Sequence, residues 1–255
     1  MAADPNFRSQ AIPSSQSEIK IEMTQGAHID LVVTTISKTN PAQVTFADMT
    51  KVGPGTPVRF AGTLEPSLDG KDIVLGAADD PDTPTKYDLI GVDGSGWTAA
   101  IATGTAETHP FGSACEAKDW AFDGGAADEI EKTTLCSSAK EFALGLSDSG
   151  NFNFNMNYVS TDPVEQELLR AKRDLKPRWV QVEYGDGSYT VFQAYCKSFN
   201  RTAAVGQMIM AAVSMRVTGD LIEVLPAAAD VTVLREGGTP PPQRREVRDR
   251  ERVAA

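Results

Sequence analysis

The sequence predicts a mainly β protein, a β-sandwich or barrel with one packed α-helix, carrying an inserted small β-barrel-like module. Three observations carry that expectation. Short runs alternating polar and apolar residues recur along the chain, as half-buried strands require. Clusters of Gly, Pro, Asn and Asp punctuate them at close intervals. A single segment combines a 3.6-residue apolar period with signals at both ends. The 255 residues are 41% hydrophobic and 23% charged, enough to build a real core.

The elements follow in order. Residues 1–17 are polar and Ser/Pro-rich and read as a flexible arm. Glu18-Ile19-Lys20-Ile21-Glu22-Met23 alternates with period two and reads as the first strand. Residues 29–108 have their own texture. Short β-rich runs at 29–36, 43–46, 57–61, 72–75, 88–90 and 97–101 are separated by turn chemistry such as Asn40-Pro41, Gly53-Pro54-Gly55, Asp69-Gly70 and Asp93-Gly94-Ser95-Gly96. Strands this short and this closely spaced suggest a small closed β unit. That unit holds eleven acids against five bases, a net charge of −6.

Residues 151–158 read Asn-Phe-Asn-Phe-Asn-Met-Asn-Tyr. Asn151, Asn153, Asn155 and Asn157 therefore share one face of a strand whose other face is apolar. Residues 161–176 read as the one helix. Asp162 can cap it, Pro163 suits the first helical position, and Glu165 completes a capping box. Val164, Leu168, Ala171 and Leu175 form the expected packing stripe, opposite Glu167, Arg170, Arg173 and Asp174, and Pro177 ends the helix. Two alternating runs, 179–184 and 188–197, flank Gly185-Asp186-Gly187 and read as a hairpin, with Gln181 and Glu183 among its wet positions. A long run at 207–218 continues into 221–225, and a Pro/Gly hinge leads to an Arg-rich tail. The resulting division is an arm (1–17), a discontinuous β domain (18–28 and 109–226), an inserted β module (29–108) and a tail (227–255).

Charge narrows the function. With 24 basic and 35 acidic residues the chain carries a net charge of −11, which argues against a protein that grips nucleic acid through its phosphates. It leaves open a protein that lets nucleic acid slide past. Cys115, Cys136 and Cys196 form no CxxC pair, and His28 and His109 read as unrelated loop histidines, so neither a disulfide framework nor a metal site is expected. No secretory pattern and no apolar run long enough for a membrane span is present, so a soluble protein made in a reducing cytosol is expected.

Motifs for catalysis are missing. The glycine-rich run 91–96 lacks the phosphate-loop lysine, residues 145–150 contain no GxSxG, and the carboxylates between Asp123 and Glu129 lack calcium-loop spacing. No enzyme, cofactor or metal is expected.

From Gly124 to Val224 the chain resembles the tail tube (major tail) proteins of long-tailed, non-contractile bacteriophages. The residues that carry this are Gly125-Ala126-Ala127-Asp128-Glu129-Ile130, Thr133-Thr134-Leu135-Cys136, Ala139-Lys140-Glu141-Phe142 and Gly145-Leu146-Ser147-Asp148-Ser149-Gly150. They are followed by the Asn-alternating strand, the helix Glu165-Gln166-Glu167-Leu168-Leu169 and the strand Ser214-Met215-Arg216-Val217-Thr218-Gly219-Asp220. Residues 29–108 are similar to the half-domain around the first catalytic cysteine of ubiquitin-activating enzymes, through Ile36-Ser37-Lys38-Thr39-Asn40-Pro41-Ala42-Gln43-Val44-Thr45, Pro54-Gly55-Thr56-Pro57-Val58 and Leu68-Asp69-Gly70-Lys71, but contain no cysteine.

The first resemblance implies a virion structural protein whose hexameric rings stack into a tail tube, assembled in the host bacterial cytoplasm. Its implied partners are further copies of itself, a tape-measure protein, and tail terminator and baseplate proteins, with DNA passing through without specific contact and no membrane insertion. The candidate lumen or wet face is Asn151, Asn153, Asn155, Asn157, Gln181 and Glu183. Two alternatives stand beside this: a terminator or connector that stops at one ring, and a host-surface-binding module displayed on the inserted unit.

Overall fold

A computed structural model describes residues 17–80, 83–125, 127, 129–134, 139–145 and 148–225. Apart from Ser17, the expected arm and tail lie outside the described residues, as do Cys136, Asp128 and Ser147. The fold is mainly β with one helix and includes a closed six-stranded barrel.

The strands are β1 (Glu18–Glu22), β2 (Ile29–Ile36), β3 (Gln43–Phe46), β4 (Pro57–Ala61), β5 (Asp72–Ala78), β6 (Tyr87–Leu89), β7 (Thr105–Thr108), β8 (Phe111–Ser113), β9 (Ala117–Asp123), β10 (Glu129–Glu131), β11 (Phe142–Leu144), β12 (Asn151–Asn157), β13 (Arg178–Glu183), β14 (Tyr189–Thr202) and β15 (Met210–Val224), with helix α1 (Pro163–Asp174). The barrel closes in the order β2-β3-β6-β5-β4-β7, and the other large sheet runs β8-β1-β13-β14-β15-β12-β9. β10 and β11 form a separate two-stranded ribbon.

Alternation builds the barrel. Leu31, Val33 and Ile36 of β2, Val44 and Phe46 of β3 and Val58 and Phe60 of β4 all point into one core. Tyr87 is buried with them, and its hydroxyl donates to the Val52 carbonyl at 2.9 Å, which removes the penalty for a buried phenol. The run at 97–101 is not a strand. Trp97 caps the barrel core after a turn from Gly94, and Ile101 alone bridges Ile36. β7 already occupies the ladder positions beside β2 and β4, so no edge remains for that segment to extend.

The seven-stranded sheet rolls around its own core. In the strand order β13 and β9 are four steps apart, about 19 Å on a flat sheet. Yet the rings of Trp120 in β9 and Tyr184, just beyond β13, have centroids 6.0 Å apart, and Phe122 of β9 lies 5.8 Å from Phe192 of β14. Side chains meeting this way come from opposed walls of a sandwich. Phe152, Phe154, Met156, Val180, Val182 and Phe192 fill the space between the walls, each worth about 1.5–3 kcal/mol of burial.

α1 packs on β14 and beside β8. Asp162 caps it, its carboxylate accepting from the Val164 N–H at 2.7 Å. Glu165 does not close the expected capping box. It reaches back to accept from the Val159 N–H at 2.6 Å, and burial pushes its carboxyl up. Val164, Leu168 and Ala171 are buried. Leu175 is 74% exposed and leaves the stripe, because the helix stops at Asp174 and Leu175 adopts a left-handed cap at φ 55°.

Glu167 also departs from expectation, being fully buried rather than wet. Its partner is Arg178, the first residue of β13, whose Nε donates to Glu167 Oε1 at 2.7 Å while Nη2 donates to Asp174 Oδ2 at 2.6 Å. Thr24 and Arg170 donate to the same carboxylate. Burial alone would push Glu167 up, but these donors outweigh it and hold its carboxyl below the ordinary value. The cluster ties α1, β13 and the chain leaving β1 together.

Candidate functional site

The roll of the sheet gives the sandwich two outer walls that point away from each other. On β12 the Asn row faces outward on one wall. Asn153 Nδ2 donates to Asp123 Oδ2 at 3.0 Å, Asn155 Nδ2 to Asp119 Oδ1 at 2.7 Å, and Asn157 Nδ2 to Glu116 Oε2 at 2.9 Å. Asn151 is the exception: its Oδ1 accepts from Arg216, which also grips Asp148 through two bonds of 2.6 Å. The Gly150 N–H and Arg216 hold the Asp148 carboxyl below its ordinary value.

Two of the carboxylates come from β9, a strand not expected from the sequence. The signal was present: Asp119, Ala121 and Asp123 alternate with Trp120 and Phe122, the same period-two code. Gly150 sets the spacing between β9 and the start of β12. At φ 80° it lies so close to Asp123 that a Cβ would sit 1.9 Å from that residue's carbonyl oxygen, so only glycine fits.

This wall has a definite chemistry. Amide donors that would otherwise be free to bind phosphate are turned onto carboxylates, so three of the four Asn side chains present no spare charge-seeking donor pair. The carboxylates of Asp119 and Asp123 stay exposed as negative charge, with the Arg216 guanidinium beside them at the Asn151 end.

Gln181 and Glu183 belong to the opposite wall. Gln181 is 5% exposed, and its amide donates to the Pro54 carbonyl of the barrel at 3.2 Å. It is not a wet residue, because the barrel covers it. Val74 of the barrel is buried with Val191 and Val224 of the sheet, and Ile90, Trp179 and Tyr189 pack around them. Gly55, at φ 76°, lets the barrel approach; a Cβ there would lie 2.5 Å from the Gln181 amide nitrogen. Glu183 is half-buried and accepts from Lys20 Nζ at 2.5 Å. The six candidate wet residues are thus divided, four on the bare wall and two on the barrel wall.

The two histidines are brought together. His28 and His109 sit on the two chain crossings between barrel and sheet, with ring centroids 4.3 Å apart. Burial first, and then the neighbouring His28, push His109 below the ordinary histidine value. Among the described residues no group of three or more His, Cys, Asp and Glu side chains is placed to hold a metal ion. Cys196 is buried, which pushes its thiol up to about 11, and Cys115 is exposed. No helix among the described residues is long and apolar enough to cross a membrane.

One cavity opens between the walls at the end of the sandwich where β9 ends and β12 begins. It measures about 320 Å³ and is lined by Trp120, Phe122, Phe152, Phe192 and Leu221, with Asp220 and Glu223 among the polar residues.

Residues 108–222 match the family model described as lambda phage tail tube protein, TTP. The match starts at the last residue of the barrel and takes in β8 to β14, α1 and β15 as far as Ile222. No curated protein matches the chain. Among solved structures the chain is similar to one in the cryo-EM structure of the anti-feeding prophage (AFP) baseplate, 6-fold symmetrised, at 9% identity and a TM-score of 0.34, covering 68% of this chain and 95% of that one. The likeness of residues 29–108 to ubiquitin-activating enzymes finds no support in these comparisons.

Proposed function

We propose that this chain is a tail tube subunit of a bacteriophage-like particle, a structural protein that forms rings, stacks them and surrounds a channel for DNA. The match of residues 108–222 to the tail tube family carries the reading. The geometry fits it. The rolled sheet ends in two strands, β8 and β9, each with one unpaired side among the described residues. Such edges invite pairing with a neighbour, and closing a ring removes them.

The bare Asn wall then faces the lumen. Its amides are tied to carboxylates, so DNA meets a repelling surface with few free donors and slides. The barrel, on the opposite wall, faces outward. Rings of six copies, assembly on a tape-measure protein in the bacterial cytoplasm, and contacts with terminator and baseplate proteins complete the reading, which requires no catalysis.

Electron microscopy of the concentrated full-length protein tests it. Rings or tubes with a central channel are expected. A particle that stays monomeric under all conditions overturns it, and assembly that stops at one ring selects a terminator or connector instead.

A further inference from the structure

We propose that the β14–β15 hairpin tip of one copy seats in the open end of the sandwich core of the next copy, and that this apolar contact sets the head-to-tail stacking. The proposal rests on the tail tube reading and names the surfaces it would use.

Two apolar features stand at opposite ends of the same strands. At one end is the cavity of about 320 Å³ between the walls, lined by Trp120, Phe122, Phe152 and Leu221. At the other end the hairpin tip carries Val205, Met208 and Ile209, exposed by 106%, 72% and 43%. Clustered large apolar side chains in water mark a contact surface, and methionine adapts to irregular pockets.

The tip cannot fill the cavity of its own copy. Thr190 lines the cavity, and β14 continues to Thr202 before the tip begins. Twelve residues of extended strand span roughly 40 Å. A tip can therefore reach this cavity only from a second copy, and because the two surfaces differ, such a contact is heterologous and propagates along one axis.

Charge favours the same pairing. Asp220 and Glu223 stand at the cavity. Near the tip, the Arg201 guanidinium rests 4.2 Å above the Tyr158 ring and Lys118 Nζ lies 3.1 Å from Met210 Sδ. Neither cation has a carboxylate within salt-bridge distance among the described residues, although Arg201 acts at longer range on the Glu165 carboxyl, and both can meet a neighbour's acids.

Site-specific photo-crosslinking tests the contact. A benzophenone amino acid replaces Met208 in the full-length chain, assembled particles are irradiated, and the crosslinked peptides are sequenced. Crosslinks to a peptide containing Phe122 or Leu221 of another copy are expected. Tubes that crosslink only at other surfaces overturn the proposal while the tube reading stands; failure of the unsubstituted protein to form rings or tubes overturns both. In parallel, the double variant Val205→Asp, Met208→Asp should keep the parent's circular dichroism and melting temperature, since both residues are exposed, and should form rings but lose tubes. Tubes of unchanged length overturn the proposal.

Discussion

The two outer walls of the sandwich come from one sheet, yet they differ in nearly every physical respect. One is dry where Val191 and Val224 meet Val74 of the barrel. The other is an amide–carboxylate ladder open to water. Both were written in the same alternating code, so alternation alone says which residues leave the core and not what they meet outside it. What they meet is decided by residues far away in sequence, here residues 54 to 90 for the barrel wall.

Substitutions that treat the walls unequally test this contrast. The largest effect is expected from Val191→Asp, which places an unpaired charge under the barrel and should cost several kcal/mol in chemical denaturation; a loss below 1 kcal/mol would mean that the barrel does not seal that wall. Gln181→Ala removes the amide that satisfies the Pro54 carbonyl and should cost about 1 kcal/mol, read by the same denaturation.

Acid acts on the barrel through its turns. Hydrogen bonds from Thr85, joined by the Thr85 and Lys86 N–H groups, pull Asp79 from the ordinary 3.8 down to about 2. A carboxyl depressed on folding adds stability that is complete above its unfolded value and lost as pH falls through its folded one. Denaturation of wild type and Asp79→Asn should therefore converge as pH drops from about 4 to 2. Asp79 is exposed, so the difference above that window should stay below about 1 kcal/mol. A constant gap across the window would remove the titration from the explanation.

Smallest of all is Asn155→Ala on the bare wall, expected within about 0.5 kcal/mol of wild type. A large loss there would indicate that the ladder holds the fold together rather than dressing a surface.

Much of the architecture was legible before the structure. The mainly β class, the single helix and most barrel strands followed from period and punctuation, because each strand's inward residues are apolar without help from a distant partner. Three misreadings are instructive. The stripe ending in Leu175 ran on because the helix, expected to reach Lys176 before Pro177, stops at Asp174 and turns Leu175 to φ 55°. Glu167 looked wet because Arg178, its partner, lies across a turn. Gln181 looked wet because its cover arrives from a unit more than a hundred residues earlier. The carboxylates that occupy the Asn row were visible in the alternation of residues 117–123, but their pairing needed the register of β9 on β12.

The central claim is that the two walls have opposite destinations in an assembled tube, the Asn ladder inward and the barrel outward. A cryo-EM map of the assembled particle tests it most directly. Density for Asn153, Asn155 and Asp119 on the channel surface, with the barrel on the outer radius, is the expected result. A barrel found inside the channel, or an Asn ladder buried between subunits away from it, would contradict the claim.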